Sequence, residues 1–250
     1  MSECKVKDLV IGQGKPKVCL PIVGVNNEEI LETLKKYQTM TFDLIELRID
    51  FYQDIHDLGK VNEMLKMVKE NTNKPILFTY RSLREGGQIQ LSNEEYCALV
   101  ECACQSGCVD LIDIELMSGK LVVYQLVEMI HQHHLSVIMS YHNFDMTPDS
   151  KDLQEYLESM EVLDADILKI AVMPQSREDV VRLMTVTAQM SEKINRPLVT
   201  MSMGKLGVVT RISGELTGSS ITFASGGKAS APGQIGVDDM NDILEVLHCD

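Results

Sequence analysis

Several short apolar runs of this sequence carry charged residues. Where a run has more than one charged residue, these stand at every second position. The charged members of these runs are Glu46, Arg48, Asp50, Asp113, Glu115 and Lys169. In an extended strand this period of two puts such side chains on one face and their apolar neighbours on the other. Because isolated buried charges are costly, the pattern indicates either a polar functional site or a buried ion network.

Lys169 is the member of this set with the most distinctive chemistry. It stands alone among apolar neighbours in ADILKIAV (165–172). Desolvation and nearby cations both favour the neutral amine of a lysine. A neutral amine is a nucleophile toward ketones and aldehydes, with which it forms a Schiff base. An ion network explains carboxylate–arginine pairs better than it explains this lysine, and at this point both interpretations stay open.

His142 ends the preceding apolar run, LSVIMSYH (135–142), and could reach a substrate held at Lys169. Histidine exchanges protons near neutral pH, so His142 is a candidate general acid and base. The alternative is a structural histidine at the end of a strand.

Arg211 and the segment SGGKASAPGQIG (225–236) form a second candidate feature. The segment is small, polar and without apolar periodicity, which is typical of a loop that closes over a site. Ser230 and Gln234 in this loop could hydrogen-bond an anionic ligand held by Arg211. A phosphate site is the alternative, although no GxGxxG pattern is present.

The elements that must position these residues follow a regular alternation of apolar runs and amphipathic stretches. The predicted strands are 18–24, 43–50, 74–81, 109–116, 135–142, 165–172, 196–204 and 219–225. The predicted helices are 27–37, 59–71, 92–106, 120–134, 149–161, 176–193, a short one near 205–214, and 238–247. Strands that alternate with helices indicate a parallel sheet with right-handed crossovers.

This alternation predicts a single (β/α)8 TIM barrel, in which polar strand residues face inward near the carboxyl ends. An open doubly wound sheet is the competing fold, but the glycine-rich turn that it usually carries after the first strand is missing. The segment VKDLVIGQGKPKV (6–18) predicts an N-terminal β-hairpin that closes the barrel bottom. We expect one catalytic domain over residues 1–250.

The amino-acid composition limits which partners the protein can bind and in which cellular compartment we expect it. The 250 residues carry 23 Lys and Arg against 37 Asp and Glu, a net charge of −14. Such a surface repels nucleic acid and anionic membranes, although a local cationic pocket could still bind a small anion. The N-terminus lacks the apolar core of a signal peptide, no run approaches a membrane span, and the seven cysteines form no evident disulfide framework. We therefore expect a cytoplasmic protein.

Several motifs jointly resemble the type I 3-dehydroquinate dehydratase family, in the family's order and across nearly the whole chain. They are ELRID (46–50), TYRSLREGG (79–87), SYHNF (140–144), LKIAVMP (168–174), TMSMGKLGVVTRISGE (200–215) and TFASGGKASAPGQI (222–235). The resemblance implies a (β/α)8 barrel, commonly homodimeric, that dehydrates 3-dehydroquinate to 3-dehydroshikimate through a lysine Schiff base. This step belongs to the shikimate route to aromatic amino acids and uses no metal or cofactor.

The resemblance also implies a role for individual residues. Lys169 would form the Schiff base, His142 would be the general acid and base, and Glu85 would orient this histidine. The implied substrate ligands are Glu46, Arg48 and Arg81 for the hydroxyls, Arg211, Ser230 and Gln234 for the carboxylate, and Phe144, Met203 and Phe223 for the apolar wall. Cys19 stands near the substrate where many members have serine. Leu47 replaces a common tryptophan and is expected to face outward.

Two other functions compete with this interpretation. One is another class I Schiff-base barrel lyase of the aldolase type, and the other is a non-catalytic barrel that binds a shikimate-type metabolite. An aldolase for sugar phosphates would need a phosphate cradle, whereas Arg211 and the SAPGQ segment suit a carboxylate at least as well. Lys169, His142 and Glu85 together argue against the non-catalytic alternative.

Overall fold

Eight parallel strands form the centre of the computed structural model, which describes residues 3–227 and 231–248. The strands are β3 (Lys17–Ile22), β4 (Leu44–Arg48), β5 (Ile76–Thr79), β6 (Leu111–Glu115), β7 (Ser136–Asn143), β8 (Ile167–Val172), β9 (Leu198–Ser202) and β10 (Ile221–Phe223). They pair in the order β10-β3-β4-β5-β6-β7-β8-β9. A bridge between Leu198 and Ser219 joins β9 to the segment before β10. The predicted (β/α)8 barrel is therefore confirmed.

Helices alternate with these strands and pack on the outside of the barrel. They are α1 (Asn27–Tyr37), α2 (Leu58–Glu70), α3 (Asn93–Ser106), α4 (Lys120–Gln132), α5 (Ser150–Val162), α6 (Arg177–Lys193), α7 (Val209–Ile212), α8 (Gly214–Thr217) and α9 (Val237–Val246). Polar side chains fix several helix starts: Ser92, for example, accepts the N–H of Glu95, whose carboxylate accepts the N–H of Ser92. The predicted helix near 205–214 is two one-turn helices, α7 and α8. None of the described helices is long and apolar enough to cross a bilayer.

The apolar core has an outer layer between strands and helices and an inner layer inside the barrel. Leu47 belongs to the outer layer and is 2% exposed, so it faces outward as expected. The inner layer continues into the hairpin of β1 (Cys4–Val6) and β2 (Leu9–Ile11). Ile11 is fully buried there, and Lys7 lies 2.8 Å from the Asp110 carboxylate at the amino end of β6. The hairpin thus closes the bottom of the barrel.

Along five of the eight strands, the inward-facing residues change from apolar to polar toward the carboxyl end. The inward series are Leu44, Glu46 and Arg48; Leu77 and Thr79; Leu111, Asp113 and Glu115; Ile138, Ser140 and His142; and Ile167 and Lys169. Because all eight strands are parallel, these polar residues gather toward one end of the barrel. This is the carboxyl end of the strands, where barrel enzymes carry their active sites.

Candidate active site

Lys169 projects from β8 into the barrel and is 3% exposed. Its Nζ lies 3.0 Å from Asp113 Oδ2 and 3.4 Å from Glu46 Oε1. The same nitrogen stands 4.5 Å from the centre of the Phe223 ring. Burial of the amine agrees with the sequence prediction, but its nearest charged groups are carboxylates rather than cations. Lys169 Nζ is therefore paired with two carboxylates in the free protein.

Arg81 links the carboxylates around this lysine. It follows β5 by two residues, and its Nη2 donates to Asp113 Oδ1 at 2.8 Å. Its Nη1 donates to Glu115 Oε1 at 3.0 Å and to Ser140 Oγ at 2.8 Å. Desolvation lowers the pKa of Arg81, but the carboxylates, Asp113 first, raise it above the ordinary value. Arg81 is thus a fixed cation that neutralises part of the acidic cluster.

Glu85 and His142 form a pair beside this cluster. Glu85 Oε2 accepts the backbone N–H of His142 at 3.0 Å and lies 3.0 Å from its Nδ1. Burial, followed by the charges of Arg81 and Lys169, lowers the pKa of His142 well below its usual value. Burial and the nearby Glu115 raise the pKa of Glu85 to about 8. His142 is therefore uncharged in the free protein, and its Nε2 is left for a ligand.

Phe144 lies against the turn that carries Glu85 and is 38% exposed at the rim of the barrel. Gly86 in this turn has a φ of +86°, and a Cβ there would come within 2.3 Å of the Phe144 ring. Only glycine satisfies both the left-handed backbone and the close ring contact. The Gly86–Phe144 contact therefore sets the position of the turn next to His142.

Arg48 ends β4 and is held by a residue of the following 3-10 turn. Its Nε and Nη2 donate to the two oxygens of Asp50 at 2.8 and 2.9 Å. The sequence pattern placed Asp50 on the strand face with Glu46, but β4 ends at Arg48 and Asp50 lies in the turn Ile49–Phe51. The bidentate pair fixes the guanidinium near the Glu46 side of the barrel mouth.

Arg211 is a buried cation on α7 and is 2% exposed. Its polar contacts are weak or neutral: Nη1 lies 3.6 Å from Met201 Sδ and 3.5 Å from Phe223 O, and Nη2 donates to Pro232 O at 3.1 Å. Among the described residues, its buried Nε has no hydrogen-bond partner and no carboxylate forms an ion pair with the guanidinium. Burial lowers the pKa of Arg211 to about 10, so the group stays charged at neutral pH. A buried cation in this state is suited to bind an anion.

The described part of the segment before α9, residues 231–236, contacts Arg211 through Pro232. Pro232 O accepts from Arg211 and also from the Gly204 N–H at 3.2 Å. Gln234 is half-buried in this segment. Ser230, the other residue predicted here, lies outside the described residues.

The remaining predicted site residues are apolar or weakly polar. Met203 is 1% exposed and follows β9, and Phe223 ends β10 beneath Lys169. Cys19 is fully buried on β3, opposite Phe223 in the strand register. Burial, with a smaller contribution from Glu46, raises the pKa of its thiol well above the usual value. Cys19 thus behaves as a small packing residue with a neutral thiol.

Besides Asp50 and Glu115, three further polar residues of the site were not among the predicted ligands or catalytic groups: Asp113, Ser140 and Thr79. Asp113 Oδ1 accepts from Ser140 Oγ at 2.6 Å, and Thr79 Oγ1 donates to Glu46 Oε1 at 3.1 Å. The alternation of polar and apolar residues in β6 and β7 places Asp113 and Ser140 on the inward face, and this pattern is the sequence signal that could have identified them as site residues. Within residues 3–227 and 231–248 no cluster of histidine, cysteine or acidic side chains could hold a metal ion.

The fold and this site define a (β/α)8 barrel with a buried amine, Lys169, among carboxylates at the carboxyl end of its strands. The profile of the type I 3-dehydroquinase family matches residues 18–250. The chain belongs to this family.

Relatives and solved structures agree with this assignment along the whole chain. A 3-dehydroquinate dehydratase of Listeria monocytogenes serotype 4a is 43% identical over 249 residues, covering 99% of both chains. The protein of the same name from Escherichia coli O139:H28 is 43% identical over 250 residues, again covering 99% of both. The 3-dehydroquinate dehydratase structure from Geobacillus kaustophilus superposes with a TM-score of 0.96 at 38% identity, covering 99% of this chain and 98% of that one. The type I enzyme from Clostridium difficile, solved with covalently modified comenic acid, gives 0.95 at 38% identity, covering 98% and 97%.

Proposed function

We propose that this protein is a 3-dehydroquinate dehydratase that converts 3-dehydroquinate to 3-dehydroshikimate through a Schiff base on Lys169, in the shikimate route to aromatic amino acids. The observation that carries the proposal is the buried Lys169 amine on the strand next to that of His142, in a chain 43% identical to proteins of that name. The covalent modification named for the Clostridium difficile relative is consistent with a nucleophile in such a site.

The proposed reaction begins with Lys169. After losing a proton, its Nζ attacks the C3 ketone, and one water leaves as the C=N bond forms. The protonated iminium withdraws electrons, so that the neighbouring C2 hydrogen becomes acidic. His142 takes this proton and gives one to the departing C1 hydroxyl, which leaves as water. Hydrolysis of the C=N bond consumes one water, frees the product and restores the amine, so one water is lost overall.

The state of His142 supports its proposed role. A neutral imidazole can accept a proton, and the low pKa of His142 keeps it neutral around pH 7. Because Nδ1 faces Glu85 at 3.0 Å, Nε2 is the nitrogen that would meet C2. In the proposed mechanism Glu85 would thereby orient the ring, the role that the resemblance implies.

Substrate recognition is proposed to divide between two sides of the barrel mouth. Arg211 would bind the carboxylate, together with Ser230 and Gln234 of the closing segment. The opposite side would hold the hydroxyls through Glu46, Arg48 and Arg81. Phe144, Met203 and Phe223 would form the apolar wall, with Cys19 packed beneath it.

Reduction of the covalent intermediate tests the proposed function. The protein is incubated with 3-dehydroquinate, reduced with borohydride and mapped by peptide mass spectrometry. We expect a single adduct on Lys169. An aldolase-type lyase or a non-catalytic barrel would give no adduct with this substrate, and either that result or an adduct on another lysine would overturn the proposal.

Arg211→Lys is expected to weaken substrate binding by about 10- to 100-fold, since charge-assisted hydrogen bonds are each worth about 1.5–3 kcal/mol. Lysine keeps the charge but loses the planar pair of donors that fits a carboxylate. KM and direct calorimetric binding measure the effect, and Arg182→Lys, which alters an arginine paired with Asp179 on α6, is the matched control. Unchanged binding in Arg211→Lys would show that the anion site lies elsewhere.

The assembly proposed from the resemblance is a homodimer. Large apolar side chains are exposed along α4 and beside it: Leu121 is 80% exposed and Tyr124 61%. Met117 and Val162 line a groove between the start of α4 and the end of α5 on this side. Apolar surface of this kind favours burial against a second copy.

Leu121→Glu is expected to shift the protein from dimer to monomer in sedimentation analysis, because it places a charge in the proposed contact. Val246→Glu changes a comparably exposed residue on α9, 84% exposed, and should leave the dimer intact. A monomeric wild-type protein would contradict the dimer, and a dimeric Leu121→Glu variant would exclude this patch as the contact.

We also propose a single catalytic domain over residues 1–250, located in the cytoplasm. The described elements support the first point because they all belong to one barrel, its hairpin and its helices. The second is supported by the free thiols of all six described cysteines, a usage typical of a reducing compartment.

A further inference from the structure

We propose that Asp113 is a further catalytic residue, the counter-ion that holds the Lys169 ammonium in the free protein and the iminium nitrogen during the reaction. The inference rests on the proposed Schiff-base function. It assigns a carboxylate contact to the reacting nitrogen itself.

The Asp113 carboxylate is fixed on one oxygen and directed at the lysine with the other. Oδ1 accepts from Ser140 Oγ at 2.6 Å and from Arg81 Nη2 at 2.8 Å. Oδ2 lies 3.0 Å from Lys169 Nζ, and Asp113 is 1% exposed. With Oδ1 anchored to Ser140 of β7 and to Arg81 just after β5, the position of Oδ2 is set before any substrate binds.

The charge of Asp113 suits this role. Burial alone would raise its pKa, but Arg81 and then Lys169 hold the pKa of Asp113 below the ordinary value. The group is therefore ionised although it is fully enclosed. Water cannot screen its field at Nζ, so the interaction is strong.

A fixed negative charge next to Lys169 Nζ stabilises the cationic forms of this nitrogen relative to its neutral forms. The ammonium group and the protonated iminium are cationic, whereas the amine and the unprotonated imine are neutral. Only the protonated iminium acidifies C2 effectively. Asp113 therefore opposes deprotonation of the free lysine. It also keeps the C=N nitrogen protonated at the step in which the C2 proton is removed.

Glu46 is less suited to the same task. Its Oε1 lies 3.4 Å from Nζ and also accepts the Thr79 hydroxyl at 3.1 Å. The shorter contact and the two anchoring bonds belong to Asp113, and a ligand that engages Glu46 would leave Asp113 in place.

Asp113→Asn tests the inference because it removes the charge and keeps the shape. We expect kcat to fall about 10²- to 10³-fold, the usual loss for one preorganised electrostatic contact. We also expect the acid limb of the kcat/KM profile to move to lower pH, since the neutral amine becomes more accessible without its counter-ion. Borohydride should still trap the substrate on Lys169 in this variant.

Asp110→Asn is the matched control. Asp110 also contacts a lysine, Lys7 at 2.8 Å, and accepts the Ile76 N–H at 2.8 Å, but at the opposite end of β6. Its replacement should lower the melting temperature and leave kcat and the pH profile unchanged. A merely structural role for Asp113 predicts this same behaviour for Asp113→Asn.

The outcomes separate the two proposals. A wild-type adduct on Lys169 together with normal kcat and an unshifted profile in Asp113→Asn would overturn the role of Asp113 alone. A wild-type protein without an adduct would overturn the proposed function and this inference with it.

If Asp113→Asn does not fold, Ser140→Ala frees Oδ1 from its 2.6 Å bond. We then expect about tenfold lower kcat at similar KM, the equivalent of roughly one hydrogen bond, and unchanged kcat would overturn the role.

Discussion

Replacing Lys169 by alanine is expected to lower kcat by more than about 10⁴-fold, beyond the range of about 10²–10⁴-fold that loss of a proton-transfer group costs. Without the amine no iminium forms, and C2 loses the electron sink that makes its proton acidic. The substrate should still bind, because Arg211 and Arg48 stay in place. Initial rates of formation of the conjugated product measure the first effect, and calorimetry measures the second.

Lys151→Ala serves as the control for this variant. Lys151 is an exposed residue of α5 with a 3.5 Å ion pair to Glu155, so its loss should change neither rate nor binding. Activity close to wild type in Lys169→Ala would show that Lys169 is not the nucleophile. Loss of binding together with loss of rate would instead show that the lysine mainly holds the substrate.

His142→Ala has the second largest expected effect, a fall in kcat of about 10²–10⁴-fold. The variant keeps Lys169, so it should accumulate the imine and fail to process it. Rapid-quench borohydride trapping should show nearly complete modification of Lys169 while steady-state turnover is slow. This combination separates loss of proton transfer from loss of binding.

His131→Ala is the matched control for the histidine. His131 Nε2 also lies beside a carboxylate, 2.9 Å from Asp166, but on α4 outside the barrel. This variant should turn over at the wild-type rate. Normal dehydration by His142→Ala would mean that another group removes the C2 proton.

The barrel could be predicted because its strands differ from its helices in hydrophobic period. All eight predicted strands overlap observed ones, with ends that differ by a few residues. The ends differ where 3-10 turns follow the strands, so that Asp50 and Arg81 lie beyond the last paired residues of β4 and β5. The strand ends are set by main-chain hydrogen bonding, which the pattern of apolar and polar side chains does not encode.

The candidate site was predictable to the level of strand faces. Alternation put Glu46, Lys169 and Asp113 inside the barrel, and the family motifs added Glu85. The partners of each charge were not predictable, since they depend on neighbours across strands. Arg81, for example, contacts Ser140 Oγ at 2.8 Å across 59 positions of the chain, and no sequence period encodes that contact.

The hairpin at the base of the barrel determines where substrate, product and water can enter and leave. It joins the inner apolar layer of Leu77, Leu111, Ile138 and Ile167 and leaves that end of the barrel sealed. Among the described residues, the barrel interior then opens at the carboxyl end of the strands, where Arg211 contacts Pro232. Under the proposed mechanism, substrate, product and each water released or consumed at Lys169 pass through this opening in turn. The water that hydrolyses the C=N bond would then enter by the path that the product uses to leave, so the last chemical step and product release would share one route.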